Sequence, residues 1–249
     1  MKNIPNRLYI PETEPLLVGG HDNREWPLGQ LAETPDGRLF RYALNGGVIT
    51  IAHKLYQSAV PSANIDTLAI ATSAAVGDKT LGITNGADSV VENEWAFGTA
   101  CIETTLGTAY PIKSHGADGG TGGITLTFQD GVTIQSALTN AVETVNVLKS
   151  PYKDIIITVA TPTAIPVGVP LVVAGLANYL WIQTHGLVNI LCDSTAAWTA
   201  GKAVAPSQED VGSVEFFDPS GVEGDAGVVG KCAFAGVDTT FAPIFLTLE

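Results

Sequence analysis

Histidine is the side chain in this sequence that best suits proton transfer and metal binding. It occurs four times, at His21, His53, His115 and His185. None of the four has another histidine or a cysteine at the spacing of a zinc site, so we expect no metal centre. His21 directly precedes Asp22, and this pair is consistent with a local turn contact.

Three neighbouring residues carry the groups of a hydrolytic triad. His185, Asp193 and Ser194 could supply the base, the carboxylate and the nucleophile. Nearness in sequence does not bring such groups into contact, however, and we interpret them as structural residues.

Carboxylates and a glycine-rich run are the remaining candidates for chemistry. Glu92, Glu94 and Glu103 lie close in sequence, and glycosidases use paired carboxylates, but surface charge is the simpler interpretation. The run 116–123 lacks the Gly-Lys-Ser/Thr ending of a phosphate-binding loop and predicts a hairpin tip. The motifs of hydrolases, zinc proteases and dinucleotide-binding enzymes do not occur. The sequence therefore favours a protein that is not an enzyme and has no cofactor.

The elements that position these residues are predicted to be strands. Short runs of β-branched and apolar residues recur, for example at 124–128, 154–159 and 179–183, and glycine, Asn-Gly, Asp-Gly or proline separates them. Strands favour such runs, and turns need residues that tolerate a positive φ. The sequence predicts an all-β fold of sandwich-like or barrel-like domains, with Trp95 and Trp181 in the core.

The spacing of the runs predicts three segments. These are an extended N-terminal arm at 1–37, a main β domain at 38–62 with 151–249, and an inserted β domain at 63–150. Within the main domain, residues 38–44 and 48–56 are predicted to form a hairpin around Asn45-Gly46-Gly47. His185-Gly186 is predicted to turn the chain between two strands, and residues 138–147 could hold a strand or a helical turn.

The N-terminal segment is rich in proline, which disfavours regular strands and helices there. Its apolar residues could lie on a neighbouring protein or on the chain's own domain, and both alternatives stay open. In the first case the contact residues are Leu16, Leu17, Trp26 and Leu28, with Trp26 as an aromatic anchor.

Charge and composition argue against several classes of protein. The net charge is −13 and the 12 basic residues form no cluster, so we expect no direct binding to nucleic acid. No apolar run is long enough to predict a membrane span, and the first residues do not resemble a signal peptide. Only 15% of the residues are charged, which suits a surface covered by other subunits. Cys101, Cys192 and Cys232 are predicted to be buried thiols of a protein made in a reducing compartment.

Several segments resemble structural proteins of tailed bacteriophages. Residues 35–43, PDGRLFRYA, resemble a PDGREFRYA stretch of such proteins, and residues 74–81, AAVGDKTL, are similar to their AVGDTTL segment. Residues 179–186, YLWIQTHG, look like their YGWVQTWG segment, with Leu180 and His185 where glycine and tryptophan are expected. These pieces, together with 110–115 and 150–153, occur in the same order.

The resemblance implies a component of the virion, made in the host cytoplasm, of the capsid decoration or cement type. Such proteins bind the major capsid protein on the outer surface of the head, often as homotrimers, and stabilise the junctions between capsomers. The resemblance carries no catalytic residues. Two alternatives stay open, which are a head-fibre, tail or adaptor protein of the virion and a carbohydrate-binding β module or polysaccharide-degrading enzyme.

Overall fold

Two compact units make up the chain in a computed structural model. Unit 1 combines Met1–Ala59 with Pro151–Glu249, and unit 2 is Val60–Ser150. The predicted insertion at 63–150 lies within unit 2. The structure describes residues 6–17, 19–103, 107–140, 142–160, 162–193, 198–217, 227–234 and 237–249. Both units consist of strands and loops, which confirms the all-β prediction.

Unit 1 contains a large, mostly antiparallel sheet. Its described strands are β1 (Arg7–Tyr9), β2 (Leu31–Glu33), β3 (Leu39–Leu44), β4 (Tyr56–Gln57), β11 (Ile156–Ile157), β12 (Pro166–Pro170), β13 (Tyr179–Leu191), β14 (Ala203–Pro206), β15 (Val214–Phe216), β16 (Gly230–Cys232) and β17 (Phe241–Thr247). The main order of strands is β1-β2-β3-β13-β17-β16-β14-β15, while β12 pairs with β13 and β4, and β4 with β11. A one-turn 3-10 helix lies at Glu14–Leu16.

Strand β13 is the longest element and pairs with β3, β12 and β17. The predicted turn at His185-Gly186 is wrong, because the chain continues through it as one strand. The register to β3 shifts between Gln183 and His185, and Gly186 has a φ of 92°. A β-bulge therefore accommodates Gly186, and the direction of the chain does not reverse.

The predicted hairpin of 38–44 with 48–56 is also wrong. Strand β3 pairs with β2 and β13 instead, and β4 pairs with β11 and β12. The Asn-Gly-Gly signal marks a loop that is packed against the chain just before β11. A Cβ on Gly46 would lie 2.3 Å from the Cα atom of Asp154, so only glycine fits there.

The segment predicted as an arm lies on its own unit over residues 7–33. Strand β1 is parallel to β2, and β2 joins the edge of β3. Ile10 and Ala32 are buried, and Trp26 packs against the core of unit 1. These residues therefore pack on their own domain, which is the second alternative. Their apolar side chains contact the sheet that follows them in sequence.

The core of unit 1 consists of the aliphatic and aromatic side chains that its strands direct inward. Tyr42 of β3 stacks on Tyr179 and contacts Trp181, with ring centroids 5.7 and 4.9 Å apart. Trp181 is fully buried, as predicted. Strands β3 and β13 thus form the rigid centre against which the N-terminal segment packs.

Unit 2 is a closed six-stranded barrel. Its strands are β5 (Leu68–Thr72), β6 (Thr80–Thr84), β7 (Thr99–Ile102), β8 (Ala109–Ser114), β9 (Gly123–Phe128) and β10 (Thr144–Leu148). The order is β10-β5-β6-β9-β8-β7, and pairing of β10 with β7 closes the barrel. A 3-10 helix lies at Ala63–Ile65.

The interior of the barrel holds the large apolar residues of unit 2. Trp95 is buried in this core, as predicted, and lies in the chain before β7. Residues 144–148 form a strand, so the helical-turn alternative does not apply to them. Among the described residues, the structure has no helix of the length and hydropathy that a membrane span requires.

Candidate interaction surface

The residues of the suggested hydrolytic triad do not come together. His185 lies within β13 and Asp193 two residues beyond its end, and eight steps along the extended chain place their Cα atoms roughly 26 Å apart. Asp193 is buried and accepts a hydrogen bond from the Ser207 hydroxyl group instead. Ser194 lies outside the described residues. Asp193 and Ser207 thus stabilise a loop of unit 1.

Two of the three carboxylates considered for glycoside hydrolysis, Glu94 and Glu103, are engaged in local structure, and Glu92 is exposed on a turn. Glu94 forms an ion pair with Lys149 at 2.7 Å. Glu103 accepts hydrogen bonds from the Thr144 hydroxyl and the Asn146 amide, each at 2.8 Å, and these bonds lower the pKa of Glu103. The carboxylate of Glu103 is therefore ionised, and side chains of strand β10 hold it in place.

Two of the three thiols are buried, and the third is half-buried. Cys192 and Cys232 lie in the core of unit 1, and Cys101 lies in β7. Burial raises the pKa of all three thiols, and that of Cys192 to about 12. A thiol with such a pKa remains protonated at neutral pH and is a poor nucleophile.

Unit 1 exposes a group of large aliphatic side chains on three neighbouring loops. Leu16 ends the 3-10 helix at 14–16, and the other residues lie on the loops that follow this helix, strand β3 and strand β12. The exposed fraction of these side chains ranges from 45% to 78%. We call this group the apolar patch, and its members are Leu16, Leu17, Val48, Ile49, Val173 and Leu176.

Backbone hydrogen bonds join the three loops that carry the apolar patch. The amide of Gly19 donates to the carbonyl of Val173 at 2.7 Å, and Gly19 and Ala174 form a parallel bridge. The amide of Thr50 donates to the carbonyl of Ala174 at 2.9 Å. The Asn178 side chain donates to the carbonyl of Gly19 at 2.7 Å. Loops joined in this way present their exposed side chains in a fixed arrangement.

Two buried polar side chains reinforce this arrangement. Asn45 donates to the carbonyls of Val48 and Gly175 at 2.7 and 2.9 Å. The Thr50 hydroxyl donates to the carbonyl of Val172 at 3.1 Å and accepts from the amide of Ala174 at 2.6 Å. Asn45 and Thr50 are each only 1% exposed. Buried polar groups with several partners fix one loop conformation, because any other would leave them unsatisfied.

Close backbone contact also fixes the loop before His21. Gly20 has a φ of 70°, and a Cβ there would lie 2.6 Å from the carbonyl oxygen of Tyr179. His21 and Tyr179 exchange two backbone hydrogen bonds of 2.7 and 2.8 Å. Only glycine allows this approach, and it anchors the segment carrying Leu16 and Leu17 to β13.

The four predicted contact residues fall into two groups. Leu16 and Leu17 belong to the apolar patch, while Trp26 and Leu28 are half-buried, with Trp26 packed on the core. Trp26 thus holds the N-terminal segment on its own unit, and the contact of the four residues with a neighbouring protein stays a prediction.

Sequence reasoning missed the other four members of the patch, which are Val48, Ile49, Val173 and Leu176. Val48 and Ile49 lie in the predicted strand 48–56, and side chains of a strand alternate between the two faces of a sheet. Asn45-Gly46-Gly47 and Ala174-Gly175 lie next to these apolar residues in sequence. Glycine and asparagine are typical of loops, so these residues are the signal that could have identified the patch.

A second exposed apolar surface lies on β13 and β17. Leu187 pairs directly with Phe245, and Leu191 pairs with Phe241, on the same sheet. Leu187, Phe241 and Phe245 are exposed. The ring of His185 meets the edge of Phe245, with centroids 5.1 Å apart. We call Leu187, Phe241 and Phe245 the aromatic face.

Tryptophan, the usual platform for sugar rings, is largely internal in this structure. Trp95, Trp181 and Trp198 are buried. The backbone amide of Trp95 donates to His115 Nε2 at 2.8 Å, which gives this buried histidine a structural role. Three of the four tryptophans therefore offer no ring face to a ligand.

Comparison of the chain with protein-family models, with curated proteins and with solved structures gives no significant match. The apolar patch and the aromatic face are the structural features of unit 1 that bear on function.

Proposed function

We propose that this protein is a non-enzymatic component of a phage virion that binds the outer surface of the head as a decoration protein. The observation that carries the proposal is the apolar patch, in which exposed aliphatic side chains stand on loops fixed by buried hydrogen bonds. Exposed apolar groups of this kind mark interaction surfaces. The ordered phage-like segments add support from the sequence.

The physical basis of the proposed function is burial of apolar surface at capsomer junctions. Apolar surface that leaves water contributes on the order of 25 cal/mol per Å² before the costs of association. A loop that is already ordered loses little conformational entropy on binding. Many copies on one shell, each touching the major capsid protein, would multiply a modest affinity per copy.

We further propose that the protein acts as a homotrimer and that the aromatic face supports self-association. Exposed aromatic side chains on a regular sheet bury much area at little entropic cost, because each has few rotatable bonds. Replacing Phe241 and Phe245 by serine should shift the purified protein toward the monomer in light scattering. An unchanged mass would remove the aromatic face from the proposal.

The first test of head binding is sedimentation with empty shells of the major capsid protein from the same phage. The double variant Leu16→Asp/Leu17→Asp should lose at least tenfold in affinity, because charged groups would have to be desolvated in the interface. Val76→Asp, which places a charge on an exposed valine of unit 2, is the control and should bind as the unaltered protein does.

The outcome that contradicts the proposal is full binding of the Leu16→Asp/Leu17→Asp variant, or no binding of the unaltered chain. Labelling on intact particles separates a decoration protein from a head-fibre, tail or adaptor protein, because only the first covers the whole head. A glycan array tests the carbohydrate-binding alternative, and a reducing-sugar assay tests the enzymatic one.

A further inference from the structure

One histidine of unit 1 lies between two carboxylates, next to the apolar patch. The Nε2 atom of His21 is 3.4 Å from Glu14 Oε1, and its Nδ1 atom is 3.3 Å from Glu25 Oε1. One ligand atom from each of the three residues lies within 4.8 Å of the others. Sequence spacing concealed this group, because the chain folds back between the three residues.

The His21 side chain is enclosed and incompletely satisfied. It is 11% exposed, and its ring lies 6.0 Å from that of Tyr42. Its Nε2 atom is buried without a hydrogen bond, although Glu14 is near. A buried polar nitrogen in this state lowers stability unless a further group completes it.

The backbone holds all three residues in place. His21 exchanges two hydrogen bonds with Tyr179, and the carbonyl of Glu14 accepts from the amide of Leu17 in the 3-10 helix. The amide of Glu25 donates to the Tyr42 hydroxyl at 3.3 Å. Ligands held by such contacts need little rearrangement to bind an ion.

The spacing between His21 and Glu14 matches that of two ligands on one metal ion. Zn²⁺ binds imidazole nitrogen and carboxylate oxygen at about 2.0–2.2 Å, so two ligands of a tetrahedral ion lie roughly 3.3–3.5 Å apart. The observed separation is 3.4 Å. Glu25 faces the other nitrogen of the ring, where a carboxylate commonly holds the N–H of a metal-binding histidine.

We propose that His21 Nε2 and the Glu14 carboxylate bind a Zn²⁺ ion, with Glu25 as the positioning residue that holds the imidazole through Nδ1. Water completes the coordination. The ion would connect the 3-10 helix to the chain beside β13 and so fix the loop carrying Leu16 and Leu17. This site is independent of the proposed function, since it requires no capsid.

The test is calorimetric titration of the full chain with ZnCl₂ after treatment with EDTA. We expect one saturable site per chain, which Glu14→Gln and His21→Gln each weaken at least tenfold. Glu25→Gln should weaken binding by about 10–100-fold, as loss of an outer carboxylate commonly does. His53→Gln is the matched control, because His53 Nδ1 faces the carbonyl of Asn189 and no carboxylate, and it should bind as the unaltered chain does.

Circular dichroism of each variant without Zn²⁺ shows whether it is folded, and Glu14→Gln keeps the proposal testable if His21→Gln does not fold. Absence of a saturable site in the unaltered chain overturns the proposal. Equal affinity in the unaltered chain and Glu14→Gln overturns it as well. Head binding is read separately, so failure of the zinc site leaves the proposed function standing.

Discussion

At the scale of single residues, buried polar side chains decide the shape of the candidate interaction surface. Asn45 and Thr50 reach loops that are more than a hundred residues away in sequence. The apolar residues beside them have no comparable partners and remain exposed. Asn45 and Thr50 thus contribute to the fixed loop conformation, and their apolar neighbours determine the chemistry of the surface.

Removing the Thr50 hydroxyl should loosen this surface. Thr50→Val keeps the shape of the side chain but leaves the amide of Ala174 and the carbonyl of Val172 unsatisfied, which costs about 1–3 kcal/mol. Urea denaturation should show this loss, and hydrogen exchange at Ala174 should accelerate. Thr199→Val, at an exposed threonine of the same unit, is the control. Equal stability of the two variants would mean that Thr50 does not fix the loops.

At the scale of elements, the connection between β8 and β9 depends on one carboxylate. Asp118 Oδ2 accepts hydrogen bonds from Asn85 at 2.9 Å and from the amides of Gly120 and Gly122 at 2.9 and 3.1 Å. Hydrogen bonds from Asn85, Gly120 and Gly122 lower the pKa of Asp118. The glycine-rich run is therefore an ordered hairpin connection.

The stability of unit 2 should consequently fall in acid. Because the pKa of Asp118 is lower in the folded state, its contribution is complete above the unfolded pKa of about 3.9 and is lost as the pH falls through the folded value. Fluorescence of Trp95, the one tryptophan in 60–150, reports unfolding of unit 2. Asp118→Asn should remove part of this acid sensitivity, whereas Glu92→Gln, at an exposed carboxylate on a turn of the same unit, should not. The same pH dependence in both variants would contradict this assignment.

Sequence patterns predicted the type of the elements better than their pairing. The run 124–128 forms β9, and residues 179–191 are extended, because apolar and β-branched side chains favour a half-buried strand. The partner of β3 could not be predicted, since Asn45-Gly46-Gly47 suits a hairpin turn as well as the packed loop that forms. The group of Glu14, His21 and Glu25 was equally hidden, because tertiary contacts alone bring these residues together.

The N-terminal segment should contribute to the stability of unit 1, because it is part of the sheet of that unit. Deleting residues 1–37 removes β1 and β2, together with the buried Ile10 and Ala32. The deletion also uncovers the edge of β3. We expect a loss of several kcal/mol in the stability of unit 1, because apolar area returns to water. Thermal unfolding followed by tryptophan fluorescence measures the loss. Unchanged unfolding of the truncated chain would show that the segment is dispensable for folding.

At the scale of the whole molecule, the chain leaves unit 1 and returns to it at neighbouring strands. Strand β4, before unit 2, pairs with β11, after it, through Gln57 with Ile156 and Tyr56 with Ile157. An insertion whose ends are held together in this way puts little strain on the host unit.

Each unit should therefore fold separately. Residues 60–150 expressed alone should give a β-sheet circular dichroism spectrum and a cooperative melt, since the closed barrel contains its own core. The chain with 60–150 replaced by a short Gly-Ser linker should keep the melt of unit 1. Loss of cooperativity in either piece would show that the units stabilise each other.

Closure of the barrel in unit 2 has a further consequence at high protein concentration. An open sheet presents unpaired N–H and C=O groups at its edge, and neighbouring molecules at high local concentration can add strands there and aggregate. The pairing of β10 with β7 leaves the barrel without such an edge. Unit 2 can therefore be crowded densely without forming intermolecular sheets.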